Sequence, residues 1–445
     1  MLIENFSFGN FRSFKDIQSL NMNAADIVSE NKEIDKNNVI YSDSFDSLLK
    51  SKAIYGANAS GKSNIVAAFY TFIIIVLESV KRNDVLLLSE SFKLLTSSQD
   101  EPTFFQLIFT TNKKKYRYGF EVTRQKVVSE WLFLIEEKDE VVLFIREDNK
   151  IDTINKKQFE EGYKLLHVLG EGDENQVYRD NALFLSTLVA LGFGKISKLI
   201  LESFESIIII QGITEENIFN KAKVLLKDKK AKDYTINLLK YADVGLQDFS
   251  LIKVKPREHF RTLINENTNS EFLSFLEQNE GEEIVISSRN MYNENNKIIG
   301  KVNFNFENSE SEGTKKIFEL SPFLYASLTQ GTPLIIDEFD ARFHPLLTRK
   351  IVELFNSAEN TNAQLIFITH DTNLLSNQLL RTDQIDFVEK DKFGASHLYT
   401  LVELEGVTSS DSFESDYIRG KYGAIPFLGD FNKLIYSTKT ISKDA

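Results

Sequence analysis

The chain of 445 residues contains no cysteine, and this absence narrows its chemistry. Without cysteine there is no disulfide bond, no thiolate metal ligand and no cysteine nucleophile. The composition therefore suits a reducing cytosol and argues against thiol redox chemistry. Hydrophobic residues make up 42% of the chain, enough for folded cores, and the length predicts two or three structural units.

Segments typical of export or membrane insertion are also missing. The first residues show no basic stretch followed by an apolar core, so we predict no secretory signal. The longest apolar run, "IVAAFYTFIIIVL" at 65–77, is shorter than the roughly 20 residues that cross a bilayer. We expect a buried helix there, no membrane partner and a cytoplasmic location.

An excess of positive charge is absent as well. The chain has 52 basic and 65 acidic residues and a formal net charge of −13. This charge disfavours a surface built throughout for nucleic acid. Two local basic segments, 112–117 at a predicted hairpin tip and 221–234 on a predicted helix, are candidate contacts for DNA or a partner. Solvated surface is their ordinary interpretation.

A glycine-rich loop is the most specific motif of the chain. Residues 56–63, "GANASGKS", match G-x-x-x-x-G-K-[ST] between a predicted strand and a predicted helix. Gly56 and Gly61 let backbone amides turn toward phosphate groups. Lys62 adds a positive charge near the β- and γ-phosphates, and the Ser63 hydroxyl is a ligand for Mg²⁺. The motif therefore predicts a phosphate-binding loop.

Two apolar strands end in polar side chains that suit phosphate chemistry. The strand "PLIIDEFD" at 333–340 presents Asp337, expected to hold Mg²⁺ through water, and Glu338, expected to orient or deprotonate the attacking water. The strand "LIFITHD" at 365–371 presents His370. A strand–helix–strand interval in an open parallel sheet brings both ends to one edge. We therefore predict a γ-phosphate contact for His370.

The stretch "NSESEGTKKIFEL" at 308–320 places small and acidic residues and a glycine directly before a predicted helix. A helix that opens near Ser311 and Gly313 offers free backbone N–H groups and a positive dipole end. Such an end binds anions, although an ordinary helix cap is the alternative.

The remaining pattern predicts an α/β fold. Residues 2–22 alternate as a strand does, and 103–146 indicate an antiparallel meander. Residues 159–248 indicate a helical insertion and 265–297 exposed connections. We find no internal repeat and no sustained heptads. The predicted units are 1–158 and 301–410 as the two halves of one head, 159–300 as the insertion with its connections, and 411–445 as a tail.

These elements, in this order, resemble the ABC-type ATPases of the SMC and RecF-like branch. The resemblance places "NFRSF" at 10–14 on the nucleotide-contacting strand, 56–64 on Walker A, "SESEGTKK" on the signature motif, "LIIDEFD" on Walker B and "THD" on the switch histidine. It implies an ABC-type head, a mixed sheet with a P-loop and an antiparallel meander, with ATP and Mg²⁺ as cofactors. The implied nucleotide-binding residues are Arg12, Ser13, Gly56, Asn58, Ser60, Gly61, Lys62, Ser63, Asn64, Ser311 and Gly313. Glu338 and His370 are implied as catalytic residues, and Ser63 and Asp337 as the metal ligands.

The same resemblance implies self-association. Ser311 and Gly313 of one subunit would face the γ-phosphate on Walker A of another, in an ATP-dependent homodimer or higher oligomer. The motif departs from the common signature at Glu312, where glycine is usual, and at Thr314, where glutamine is frequent. A carboxylate beside phosphate is repulsive unless it points away. The segment 340–348 resembles a D-loop, and no Q-loop glutamine is assigned.

A finer resemblance covers 308–428. Its segments are similar to stand-alone ATPases of bacterial anti-phage defence, such as the PARIS and abortive-infection L systems. The resemblance implies a sensor and scaffold that controls a separately encoded effector, a Toprim-like nuclease or a toxin, and responds to a phage-encoded trigger protein. After His370 no spaced Glu plus Asp-x-Asp set is visible, so a nuclease is expected to act in trans.

Two other functions compete with this interpretation. One is a RecF-like repair ATPase that clamps duplex DNA across an ATP-bound dimer. The other is the ATPase of an ABC transporter, which fits poorly because "NFRSF" and the long insertion resemble the SMC-like branch.

Overall fold

A computed structural model describes residues 1–41, 46–137, 139–169, 179–212, 215–242, 245–255, 270–408 and 410–426. The strands, in chain order, are β1 Leu2–Gly9, β2 Gln18–Asn21, β3 Val39–Ile40, β4 Leu48–Leu49, β5 Ser51–Gly56, β6 Thr103–Thr111, β7 Lys114–Val122, β8 Val127–Glu136, β9 Asp139–Glu147, β10 Lys150–Ile154, β11 Ile208–Ile210, β12 Asp248–Lys253, β13 Glu283–Tyr292, β14 Ile298–Asn305, β15 Leu334–Ile336, β16 Leu365–Ile368, β17 Ile385–Lys390 and β18 Ser396–Thr400. The α-helices are α1 Lys32–Asn37, α2 Lys62–Glu78, α3 Glu160–Leu169, α4 Phe184–Ala190, α5 Ile196–Glu205, α6 Glu215–Leu225, α7 Lys229–Tyr241, α8 Ser270–Gln278, α9 Phe306–Ser309, α10 Glu312–Gln330, α11 Pro345–Phe355 and α12 Phe413–Ile418.

A mostly parallel sheet forms the centre of the molecule. Its strand order is β11-β15-β16-β5-β17-β18, and β18 alone runs antiparallel to its neighbour. β5, β15 and β16 are buried at every position, as expected for parallel strands covered on both faces. The carboxyl ends of these three strands share one edge, so the loops that follow them are neighbours.

The two faces of the central sheet pack against different helices. Along β5, Ile54 belongs to the core that contains α2, whereas Ala53 and Tyr55 belong to the core that contains α10 and α11. This alternation follows from the two-residue period of a strand. The predicted buried helix at 65–77 is therefore confirmed as α2, and no described helix is long and apolar enough to span a membrane.

A second, antiparallel sheet covers the other side of α2. Its order is β10-β9-β8-β7-β6-β1-β2, so the predicted meander is present and the opening strands extend it. Aromatic rings join the sheet to α2: the Phe6 and Phe69 ring centroids lie 3.8 Å apart, and those of Phe72 and Phe120 lie 5.4 Å apart. The chain thus has the mixed α/β fold that its sequence predicted.

The two sheets are also joined by a buried amide. The Gln364 side chain accepts a hydrogen bond from the Ile3 backbone N–H at 2.7 Å and donates to the Ile3 carbonyl at 2.9 Å. Buried amides are stable when both ends are paired. This contact fixes β1 against the start of β16.

The segment predicted as a helical insertion contains helices α3 to α7, but it also contributes strands. Within it, β11 joins the edge of the central sheet in parallel with β15. The residues that follow it contribute β12, β13 and β14, which form a separate antiparallel sheet. The expectation of exposed connections at 265–297 is wrong for α8, where Phe272 and Leu276 are buried. It is also wrong for β13, where Ile284, Val285 and Ile286 are buried. Residues 265–269 and residues 427–445 of the predicted tail lie outside the described residues.

Candidate active site

The glycine-rich loop connects β5 to α2, as predicted. A Cβ on Gly56 would lie 2.4 Å from the Val388 carbonyl oxygen, and a Cβ on Gly61 would lie 2.4 Å from the Ser396 Oγ. Gly61 also has φ +112°, which side chains rarely tolerate. Both glycines are thus required by close packing of the loop, and α2 begins directly afterwards at Lys62.

The Lys62 amine lies over the loop. Its Nζ donates to the carbonyl oxygens of Gly56 at 2.8 Å and Ala57 at 2.9 Å. Burial lowers the pKa of Lys62 to about 8, although the carboxylates of Asp337 and Asp340 act in the opposite direction. The amine is therefore held where phosphate oxygens can replace the two carbonyls.

We expect nucleotide affinity to fall as the pH rises above about 8, the pKa of the Lys62 amine. Phosphate oxygens stabilise the protonated amine, so binding must be accompanied by proton uptake once the free amine has lost its proton. Affinity should be constant below this pH and decrease by up to about tenfold per pH unit above it. Titration calorimetry with a nucleoside triphosphate from pH 7 to pH 9.5 measures this, and a constant affinity would contradict it.

A hydroxyl cluster supports the loop from outside. Ser13 Oγ accepts hydrogen bonds from Asn64 Nδ2 at 2.8 Å and Ser396 Oγ at 2.9 Å, and Ser396 Oγ also approaches the Ser60 carbonyl oxygen at 2.5 Å. The predicted residues Ser13, Ser60 and Asn64 are thereby brought together. Sequence reasoning missed Ser396, whose local pattern is that of an ordinary hairpin strand.

Arg12 lies in the same turn as Ser13. Its backbone has φ +50°, and its N–H donates to the Glu90 carbonyl oxygen at 2.7 Å. The guanidinium pairs with the Glu90 carboxylate at 3.1 Å and lies over the Phe11 ring. The structure thus places Arg12 beside the hydroxyl cluster on an exposed turn, where it pairs with an acidic side chain.

The two carboxylates after β15 occupy a tight turn. Asp337 is buried, and its Oδ1 accepts a hydrogen bond from the Glu338 N–H at 2.9 Å. Glu338 has φ +51°, a left-handed conformation that is uncommon for residues other than glycine. The next N–H, of Phe339, donates to the Ile368 carbonyl oxygen at 2.9 Å and ties the turn to β16.

His370 follows β16 and is held through its backbone. Asp340 Oδ1 accepts hydrogen bonds from the Thr369 hydroxyl at 2.7 Å and from the His370 N–H at 3.1 Å. Burial and the positive charge of Lys62 lower the pKa of His370, which favours the neutral imidazole. Sequence reasoning placed Asp340 in a D-loop but missed this contact.

The segment that opens α10 has its own set of contacts. Ser311 is the N-cap, and its Oγ accepts a hydrogen bond from the Thr314 N–H at 3.2 Å. Glu312 pairs with Lys315 at 2.8 Å and with Arg342 at 2.6 Å, and these hydrogen bonds and charges lower its pKa. The carboxylate that departs from the common signature is therefore compensated by cations of its own chain.

A second contact joins the same segment to the residues that follow β15. A Cβ on Gly313 would lie 3.3 Å from the Arg342 carbonyl oxygen, closer than most Cβ contacts. The segment 340–348 also begins α11, where His344 Nδ1 accepts a hydrogen bond from the Leu346 N–H at 3.2 Å. His344 is therefore a helix cap.

The residues at this edge suit a magnesium-bound nucleoside triphosphate. The loop offers a close-packed backbone, the start of a 17-residue helix and the Lys62 amine. The buried Ser60 Oγ has no hydrogen-bond partner among the described residues. Ser63 is exposed at the start of α2, and Asp337 follows β15, which is separated from β5 by β16 in the central sheet. Hydroxyl and carboxylate oxygens are the ligands that Mg²⁺ prefers.

Fold and loop together define an α/β P-loop protein with an AAA-type ATPase domain. The family described as "AAA domain, putative AbiEii toxin, Type IV TA system" matches residues 53–376, and the chain belongs to this family. No curated protein matches the chain.

Several solved structures have a partly similar backbone. The SMC head domain from Thermotoga maritima is 11% identical, with a TM-score of 0.40 and coverage of 90% of this chain and 99% of that one. The SmcHead bound to the C-winged helix domain of ScpA is 15% identical, with a TM-score of 0.41 and coverage of 90% and 97%. The Smc head domain with an extended coiled coil, bound to the C-terminal domain of ScpA derived from Pyrococcus furiosus, is 16% identical, with a TM-score of 0.40 and coverage of 90% and 96%.

Proposed function

We propose that the chain is an ABC-type ATPase that hydrolyses ATP to ADP and phosphate. The observation that carries this proposal is the convergence of Lys62, Asp337, Glu338 and His370 at one edge of the parallel sheet. Mg²⁺, when bound, would neutralise charge on the phosphate oxygens, with Ser63 and Asp337 as its protein-side ligands.

Three residues of the chain then have separate roles in hydrolysis. Lys62 binds the β- and γ-phosphate oxygens after leaving its two loop carbonyls. Glu338 orients the attacking water and accepts its proton. His370, with a pKa that favours the neutral form, donates a hydrogen bond to a γ-phosphate oxygen.

We further propose that ATP joins two copies of the chain. Ser311 and Gly313 at the start of α10 would contact the nucleotide held by the other copy, which gives a two-fold arrangement with two sites. The pairing of Glu312 with Lys315 and Arg342 supports this arrangement, because it removes an uncompensated negative charge from the surface that meets the phosphates.

A Ser311→Arg variant is expected to lose ATP-dependent association while it keeps nucleotide binding by the single chain. The long cationic side chain would occupy the space where the second copy's nucleotide enters, whereas the glycine-rich loop is untouched. Size-exclusion chromatography with light scattering, with and without ATP, measures the association. The exposed Ser410→Arg is the control and should associate normally; association of the Ser311 variant would refute the proposed contact.

We also propose a cytoplasmic role in anti-phage defence, as a sensor and scaffold that holds a separately encoded nuclease or toxin and releases it on a phage-encoded trigger. The support is the family description, which names a toxin and a TA system. The test is an ATP-trapped pull-down of Glu338→Gln from its native locus, with its protein and nucleic-acid content determined. Recovery of one neighbouring protein, lost in Lys62→Ala, would support this role.

Recovery of DNA without such a protein would favour the RecF-like repair function instead. The basic segment at 112–117 is one candidate contact for DNA in that function. The Lys115 amine pairs with Glu4 and Asp46, so part of the charge at 112–117 is already compensated within the chain. This pairing makes the segment a weaker candidate for DNA contact.

A further inference from the structure

A buried lysine on α10 has no part in the roles assigned above. Lys316 is 9% exposed, its Nζ donates to the Glu338 carbonyl oxygen at 3.3 Å, and it lies 5.4 Å from the centroid of the Phe343 ring. Burying an ammonium group is costly unless it is paired, and burial lowers the pKa of Lys316. Glu319, Asp340 and Glu338 favour its charged form, whereas Arg342 opposes it. A cation placed here therefore has several acidic neighbours and one directed hydrogen bond.

The acceptor of that bond is the strained residue of the Walker B turn. Glu338 has φ +51°, and its peptide groups are held on both sides: its N–H donates to Asp337 Oδ1 at 2.9 Å, and its carbonyl accepts from Lys316. A left-handed backbone conformation is unfavourable for a glutamate, so it persists only where contacts with surrounding groups hold it in place. Lys316 supplies one of these contacts from a different element of the fold.

We propose that Lys316 is a positioning residue for Glu338, which fixes the turn so that the carboxylate points at the attacking water. This inference rests on the proposed ATPase function. Lys316 acts through the Glu338 backbone and does not touch the nucleotide. Its loss should lower turnover without weakening nucleotide binding, because displacement of a catalytic group by about 1 Å can cost on the order of 10²-fold in rate.

Lys316 lies on the same helix whose N-terminal end is proposed to meet the second copy's nucleotide. Ser311 caps the same helix, and Glu312 pairs with Arg342, which follows the Walker B turn. The helix end that would meet the second copy's nucleotide is therefore joined to the chain's own Walker B turn by an ion pair and by the Lys316 hydrogen bond. Movement of α10 on association would be transmitted to Glu338.

The test compares Lys316→Met with Lys350→Met, a control that should keep the wild-type kcat, in the full-length chain. Methionine keeps the length of the side chain in a buried place but removes the donor, and Lys350 is an exposed lysine on α11 that pairs with Glu353. With ATP and Mg²⁺, we expect kcat of Lys316→Met to fall about 10- to 100-fold, with the nucleotide Kd within about twofold of wild type. Lys316→Arg, which retains a donor, should recover part of kcat.

A double variant separates positioning from a general structural role. If Lys316 acts through Glu338, adding Lys316→Met to Glu338→Gln should produce no further loss of turnover, whereas independent effects would multiply. Unchanged kcat in Lys316→Met, or a multiplied loss in the double variant, would overturn the inference. If the methionine variant does not fold, Lys316→Leu carries the same expectations. Absence of turnover in the wild type would instead overturn the proposed ATPase function and this inference with it.

Discussion

A Glu338→Gln variant should bind ATP as tightly as the wild-type chain and hydrolyse it about 10²- to 10⁴-fold more slowly. Glutamine has nearly the same shape as glutamate, so the turn held by Asp337 and Lys316 should persist. What is lost is the carboxylate that we propose as the acceptor of a proton from water. The variant should therefore accumulate in the ATP-bound, associated state.

Steady-state phosphate release and equilibrium ATP binding together measure this result. Glu353→Gln is a matched control, because Glu353 lies on α11, pairs with Arg349 and Lys350 and has no proposed contact with the nucleotide. It should hydrolyse ATP at the wild-type rate. Turnover of Glu338→Gln near that of the wild type would remove Glu338 as the catalytic base.

A Lys62→Ala variant should lose most of its affinity for ATP. The amine is expected to make charge-assisted hydrogen bonds to the β- and γ-phosphates, each worth roughly 1.5–3 kcal/mol. Removing two of them predicts a loss of about 10²- to 10⁴-fold in Kd. The substitution also frees the carbonyl oxygens of Gly56 and Ala57, which water or a neighbouring group must then satisfy.

Calorimetric titration with ATP and Mg²⁺ measures the affinity, and a thermal melt confirms that the variant is folded. Lys81→Ala is the control, because Lys81 follows α2 at its opposite end and forms an exposed pair with Glu78. It should bind ATP normally. A Lys62→Ala variant that is folded and binds ATP within a few-fold of wild type would exclude Lys62 as the phosphate ligand.

Local features of the sequence predicted the parts of the site that lie within single segments. The strand, glycine loop and helix around Lys62 are contiguous, so their pattern is readable without tertiary information. The same holds for the buried strands that end at Asp337 and His370, because a short apolar run followed by polar residues is a local signal. The prediction failed at 265–297, where the many polar residues indicated exposed connections. The structure has the strand β13 there, with buried isoleucines.

Contacts between distant segments were beyond that reasoning. Ser396 reaches Ser13 and Ser60 only because β17 lies beside β5 and β18 lies beside β17. Local periodicity does not specify this strand order. The position of β11 at the edge of the sheet, next to β15, could not be predicted from local sequence for the same reason. These strand pairings depend on the packing of the whole chain around its hydrophobic cores.

Residue types and short spacings were thus enough to predict the mixed α/β class, to single out the residues of the loop and the strand ends, and to exclude thiol chemistry. The tertiary structure alone decided that the Glu312 carboxylate is compensated by Arg342, that Asp340 holds the His370 backbone, and that Lys316 reaches the Glu338 carbonyl. The physical reason is that residue types and short spacings are encoded locally. A hydrogen bond or an ion pair between separate elements depends on packing that only the folded chain provides.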